Sequence, residues 1–151
     1  MFRLGVAVSG LVLALALTAA EPGFRTQWIG GTIAGVHPKS TAHLDLTSAE
    51  ALTLRCNGRE FRIDYRKINT LEYGQNVSRR YAEAILVSPI LLLSKSRRHY
   101  VTVGYVDEAG VQQALVFRVN KGDVRSVLAG LEARSGRRVE FQDDEARKAG
   151  K

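Results

Sequence analysis

The chain has 151 residues, of which 45% are hydrophobic, and a formal net charge of +7. This length is typical of one domain, and the moderate apolar content excludes both a multispan membrane protein and a wholly disordered chain. The single cysteine excludes an internal disulfide framework and a cysteine-rich zinc site.

The first twenty residues form a predicted export signal. Arg3 precedes an uncharged apolar run at residues 4–20, which ends in the small residues Ala19 and Ala20. A positive charge, an apolar run and a small-residue end are the parts of a secretory signal peptide. Because a run of this length is also close to the minimum that spans a bilayer, an uncleaved inner-membrane anchor is the competing interpretation. We expect cleavage, and therefore a periplasmic or extracellular protein.

Residues 21–40 are polar and contain several glycines, and they predict either a leading strand or a loosely packed arm. From residue 41 the pattern has a period of two, with apolar and polar residues alternating along 41–46, 52–56 and 61–64. Asn57–Gly58 between the second and third of these strands is a strong hairpin signal, because both residues tolerate the positive φ of a type I′ turn. Strands with one apolar face are typical of an antiparallel sheet with one wet side.

Four further strands are predicted after this hairpin, at residues 68–73, 81–93, 100–106 and 111–119. The second of them is the most apolar stretch after the signal, and Pro89 indicates that it is bent or lies at a sheet edge. With the three strands before residue 65, this makes seven.

Near the C-terminus the pattern changes to that of a helix. The residues at i, i+3, i+4 and i+7 spacing are Val124, Val127, Leu128 and Leu131. Gly136 is a suitable residue just past the end of such a helix. A helix of about three turns is therefore predicted to close a domain at 41–141. Residues 142–151 are charged and poor in apolar residues, which predicts a disordered tail.

This order of seven strands and one C-terminal helix resembles the pleckstrin-homology-like superfamily, including the small bacterial PH-like and GRAM-like domains. The resemblance is carried by residues 52–73, 98–119 and 121–139. It implies a mainly β fold, namely a seven-stranded antiparallel, partly open barrel of two packed sheets, capped by the helix. It also implies a non-enzymatic binding or scaffold module, with a peptide site in the cleft between residues 81–93 and the helix. The loop at 48–50 has no Lys or Arg, so phosphoinositide recognition is not supported.

No spacing in the chain matches a catalytic or metal-binding motif. His43 and Cys56 could act together only if folding brought them into contact, and a buried, inert strand cysteine is the favoured interpretation, ahead of a thiol that pairs between chains. His43 and Asp45 could reach one ion, but two ligands are too few for a stable zinc site. We therefore expect no catalytic residues, no metal and no cofactor, with a small hydrolase as a less favoured alternative.

Basic clusters are the surface feature with most weight. The candidate binding residues are Arg79, Arg80, Lys95, Arg97 and Arg98, which flank residues 81–93. A third cluster, at the end of the helix, consists of Arg134, Arg137 and Arg138. Such groups bind phosphate, an acidic peptide or an anionic leaflet, although a solvated rim is the favoured interpretation. The expected partner is a protein or peptide of the cell envelope, or else an anionic membrane surface, and not nucleic acid. The sequence leaves the oligomeric state open.

Overall fold

The computed structural model describes residues 22–75 and 98–150, which form one sheet of eight strands with two α-helices. The strands are β1 (Phe24–Gly31), β2 (Thr41–Asp45), β3 (Ala51–Cys56), β4 (Arg59–Asp64), β5 (Ile68–Gly74), β6 (His99–Val106), β7 (Gln112–Val119) and β8 (Val139–Phe141). A 3-10 helix (Tyr65–Lys67) precedes β5, and the α-helices are α1 (Val124–Ser135) and α2 (Asp144–Gly150). The strand order is β4-β3-β2-β1-β7-β6-β5-β8, and the sheet is not closed.

The mainly β fold with a C-terminal helix is confirmed, but the expected seven strands in two sheets are wrong in detail. Six predicted strands correspond to β2 through β7, and the one at 81–93 lies outside the described residues. The additional strands are β1 and β8. A single sheet results because β1 pairs with β2 on one side and with β7 on the other, which joins the two halves by continuous hydrogen bonding.

β1 lies in the segment for which a loose arm was one alternative, so that alternative is wrong for Phe24–Gly31. Phe24 and Trp28 contribute to the core, and Trp28 is fully buried. The register with β7 shifts between Trp28 and Gly30. Such a bulge interrupts the alternation of faces, and it coincides with the consecutive buried residues Trp28 and Ile29.

The predicted hairpin and closing helix are both confirmed. Asn57 and Gly58 have φ of 52° and 71°, as a type I′ turn requires. α1 buries all four of the predicted apolar residues, and Gly136 ends the helix in the left-handed conformation with φ 68°. Cys56, also predicted to be buried, belongs to the core under this helix.

The prediction of a disordered tail is wrong for Asp144–Gly150, which forms α2. Val139–Phe141 first pairs with β5 as the parallel strand β8. The Asp143 carboxylate then accepts a hydrogen bond from the Ala146 N–H at 2.6 Å, which caps the start of the helix. Ala146 is fully buried, so α2 adds a last contact to the core.

The prediction that one side of the sheet faces solvent does not hold for the whole sheet. Residues 100–105 of β6 are all buried, whichever face their side chains occupy. Among residues 22–75 and 98–150, neither helix has the length and apolar content needed to cross a bilayer.

Candidate functional site

β4 forms one end of the sheet and has β3 as its only strand neighbour among the described residues. The side of β4 that faces away from β3 is called the outer edge. An edge strand presents N–H and C=O groups that no neighbouring strand has paired, and such groups are a template for another extended chain. The outer edge is therefore a place where a peptide could add to the sheet.

The turn fixes which residues present those groups. In a two-residue hairpin the flanking residues, here Cys56 and Arg59, form a hydrogen-bonded pair, and bonded and non-bonded pairs alternate from there. The bond from Tyr65 N to Glu50 O, at 2.9 Å, continues the same alternation. The residues of β4 whose main-chain groups point outward are thus Glu60, Arg62 and Asp64.

A groove of about 380 Å³ lies beside the outer edge. Its apolar lining consists of Ile33, Phe61, Ile63, Tyr105 and Val106. Ile63 is buried and Phe61 is half-buried. The opposite wall is the end of β6 with the turn that follows it. The groove thus has an exposed strand on one side, a turn on the other and an apolar floor.

Arg59 fixes one end of this groove. Its guanidinium lies over the Phe61 ring, 5.4 Å from the centroid, and its Nη1 donates to Ala34 O at 3.1 Å. The first contact is in the range of a cation–π interaction. Together they hold the Phe61 ring beside the loop that follows β1.

At the other end, Lys67 Nζ contacts Glu108 Oε1 and joins the 3-10 helix to the β6–β7 turn. The turn is itself held by Asp107, whose carboxylate accepts hydrogen bonds from the N–H groups of Ala109 and Val111, both at 2.9 Å. These bonds, led by the one from Val111 and followed by one from the Gln113 amide, hold the Asp107 pKa below its usual value.

A line of alternating charges crosses the outer face of β2, β3 and β4. Arg55 Nη2 lies 3.5 Å from Asp45 Oδ2, and Arg55 Nε lies 3.0 Å from Glu60 Oε2. Hydrogen bonds from Thr47, first from its hydroxyl and then from its backbone, lower the Asp45 pKa, and Arg55 adds to this. We call Asp45, Arg55 and Glu60 the charge ladder. It ends at the outer edge.

The other two outward positions carry charges of both signs. Arg62 Nη2 lies 3.3 Å from Glu50 Oε2, and both side chains are largely exposed, so this pair contributes little to stability. Asp64 accepts hydrogen bonds from the Arg66 guanidinium, the shortest at 2.7 Å, and these lower the Asp64 pKa to about 2. The side chains along the outer edge are therefore negative at Glu60, positive at Arg62 and negative at Asp64.

Most of the sequence-predicted binding residues cannot be placed against this groove. Arg79, Arg80, Lys95 and Arg97 lie outside the described residues, as does the strand at 81–93 that was expected to line a peptide cleft with α1. Arg98 is described; it is half-buried and directly precedes β6.

The third basic cluster is divided between two roles. Arg134 Nη1 donates to Ser48 O at 2.7 Å, and Arg137 Nε donates to Ile68 O at 3.1 Å. These two side chains tie the end of α1 to neighbouring segments, while Arg138 is exposed. Arg134 and Arg137 are exposed as well, so these bonds do not exclude a solvated rim.

His43 and Cys56 lie on opposite faces of the sheet, because Cys56 pairs with Ala42 in the register of β2 and β3. The Cys56 thiol is buried, which raises its pKa, and its Sγ lies 3.5 Å from Thr41 O. His43 and Asp45 share a face, and no group of three metal-ligating side chains occurs among residues 22–75 and 98–150.

A buried Tyr–His pair lies at the far end of the sheet. Tyr73 Oη is 2.5 Å from His99 Nδ1, and the two rings are stacked with centroids 6.0 Å apart. Burial, and then the nearby Lys121, lower the His99 pKa. Tyr73 is fully buried, so this contact with His99 Nδ1 supplies its hydroxyl with a hydrogen-bond partner.

No family model matches the chain, and no curated protein matches it. No motif or spacing in the sequence indicated the outer edge. The Asn57–Gly58 turn predicted the β3–β4 register, but whether β4 has a second neighbour depends on pairings far along the chain.

Proposed function

We propose that the chain is a binding module that accepts an extended segment of a partner protein as an additional strand beside β4. The observation that carries the proposal is the outer edge of β4 forming one wall of an apolar-floored groove. Strand addition supplies affinity through main-chain hydrogen bonds and specificity through alternate side chains. Glu60 and Arg62 would exchange these bonds with the bound segment.

The shape of the groove favours a single extended chain as the occupant. The turn at Asp107 and Glu108 stands opposite β4. A strand that already belonged to a second sheet would bring the next strand of that sheet into collision with this turn. A segment with alternating side chains would place every second one over Phe61 and Ile63.

The expectations from the sequence belong to the same proposal. They are a PH-like, non-enzymatic module, exported to the cell envelope, whose partner is a protein there. The succession of β2 through β7 followed by a helix supports the PH-like part. Tethering through residues 4–20 is the alternative. Mass spectrometry of the protein from its host distinguishes them, since a chain beginning at Glu21 excludes the tether.

The test uses Arg62→Pro against Arg62→Thr. Proline removes the outward N–H and blocks strand addition, yet leaves the β3–β4 bonds intact because Arg62 does not bond to β3. Seven-residue peptides selected from a random library on the wild-type protein should bind Arg62→Thr and should lose binding to Arg62→Pro. They should also slow amide hydrogen exchange at Glu60 and Arg62.

Circular dichroism and thermal unfolding of both variants control for folding. Peptides that bind Arg62→Pro as well as Arg62→Thr would overturn the proposal, as would a library that yields no binder.

A further inference from the structure

We infer that the segment bound beside β4 is basic on the sheet face that it shares with the Glu60 side chain, with a lysine or arginine opposite this residue. This inference rests on the proposed strand addition and concerns the chemistry of the partner. It differs in sign from the acidic partner that the basic clusters at 79–80 and 95–98 would favour.

The charge ladder is the first argument. Arg55 is its only cation and stands between the carboxylates of Asp45 and Glu60. Asp45 is nearly buried, whereas the Glu60 side chain is 56% exposed at the outer edge. The ladder thus carries one excess negative charge, and the exposed carboxylate is its last member. A strand added beside β4 places a side chain directly opposite Glu60, and a cation there continues the alternation.

Arg55 itself is held between the two carboxylates, so it cannot turn fully towards Glu60 and neutralise it. Its Nε and Nη2 are engaged by the two carboxylates, and its Nη1 is buried without a hydrogen-bond partner among the described residues. The guanidinium therefore stays shared between Asp45 and Glu60, and neither carboxylate receives a full counter-charge.

The lining of the groove as a whole also carries an excess of negative charge. Its lining includes four carboxylates, at Glu60, Asp64, Asp107 and Glu108, and two cations, at Arg62 and Lys67. Lys67 is occupied by Glu108, and Asp64 by Arg66. Their partners Arg66 and Glu108 are 89% and 95% exposed, and ion pairs with such solvated partners exchange at little cost. A bound segment with two basic residues four positions apart would place them opposite Glu60 and Asp64. The residue midway between them lies opposite Arg62 and would be neutral.

The side chains between those positions face the other way. They lie over Phe61 and Ile63 and the apolar lining of the groove, so they are apolar in the segment that fits best. The expected pattern is therefore basic, apolar, neutral or acidic, apolar, basic, with one residue per position of the strand.

The probes are three acetylated and amidated peptides that differ only at the two outward positions, with the sequences TKVTVKT, TTVTVTT and TEVTVET. Isothermal titration or NMR titration should show the lysine peptide binding about tenfold more tightly than the glutamate peptide, because two contacts change from attractive to repulsive. The neutral peptide should fall between them.

Glu60→Gln supplies the matched protein variant. It should weaken the lysine peptide severalfold and the neutral peptide much less, and the difference between these two effects isolates the charge interaction as a double-mutant cycle does. The difference between the peptides should also shrink as salt is raised.

The charge pattern and strand addition are refuted by different results. If all three peptides bind equally, lose binding in Arg62→Pro and ignore Glu60→Gln, the charge pattern is wrong and strand addition stands. If none of them binds, or if binding survives Arg62→Pro, strand addition itself is refuted.

Discussion

Leu131 of α1 offers a quantitative test of how the helix is attached to the sheet. The side chain is completely buried and belongs to the main core cluster. Replacing a buried leucine by alanine removes the transfer free energy of the lost methyl groups and leaves a cavity, and together these cost about 2–5 kcal/mol. For Leu131→Ala we expect a loss of about 3 kcal/mol in the free energy of unfolding, and a melting temperature about 10 °C lower.

The assay is urea unfolding at equilibrium, followed by the fluorescence of Trp28. Trp28 is the one tryptophan of the chain and is buried in β1, so it reports on the sheet while the mutation is in the helix. The transition should remain two-state with an unchanged dependence on urea, which would show that stability rather than compactness has changed.

Ser126→Ala is the matched control, because Ser126 lies on the exposed face of the same helix. Its effect should stay within about 0.5 kcal/mol. Alanine favours the helix slightly more than leucine does, so any loss in Leu131→Ala comes from packing. A loss below about 1 kcal/mol would refute the packing of α1 on this sheet.

Three further expectations concern the tail, the hairpin and the Tyr–His pair. Ala146→Glu should lower the free energy of unfolding by at least about 2 kcal/mol, because it buries a charge in α2, and hydrogen exchange over 144–150 should rise with it; unchanged exchange would mean that the tail is not packed. Gly58→Ala should cost about 1–2 kcal/mol in urea unfolding through the positive φ alone, since nothing lies within 4 Å of a Cβ at this position. Because the folded-state pKa of His99 is lowered from 6.5, the native protein binds the proton less tightly than the unfolded chain. Its contribution to stability is therefore full above that value and is lost as pH falls through the folded-state pKa. Urea midpoints measured between about pH 5 and 8 should fall on the acid side more for wild type than for His99→Phe, and parallel curves would contradict this.

Local patterns were sufficient for the elements whose structure is set by near neighbours. Asn57–Gly58 predicted both the turn and the β3–β4 register, because positive φ at two consecutive residues restricts the choice to very few amino acids. The spacing of Val124, Val127, Leu128 and Leu131 predicted the buried face of α1 for a similar reason, since a helix is bonded within itself.

The sequence of the tail contains a signal for a helix, but this signal is weak. Asp143 followed by Ala146 provides a cap and one small apolar residue, and a helix of seven residues has little stability of its own. Its formation depends on packing against Phe141 and α1, which the sequence of the tail does not contain.

The outer edge could not be predicted because it is a property of the whole sheet. Among the described residues β4 ends the sheet because the next strand, β5, pairs with β6 and β8 and not with β4. Other pairings of the sheet are equally distant in the chain, as in the register of Trp28 with Phe117, which are 89 positions apart. The charge ladder likewise draws Asp45, Arg55 and Glu60 from three strands. Cations that are adjacent in the chain form a more visible pattern, but in the helix-end cluster two of them donate to backbone carbonyls.

The charges of the outer edge connect its protection to its selectivity. An exposed strand edge recruits other strands, and natural proteins limit this by placing charged residues along it. An apolar strand that paired with β4 would bring no counter-charge to Glu60, Arg62 or Asp64 and would remove them partly from water. A segment with basic residues opposite Glu60 and Asp64 avoids that cost. The edge thus discriminates against apolar strands, including those exposed by unfolded copies of the same chain, through the same side chains that would bind a basic partner.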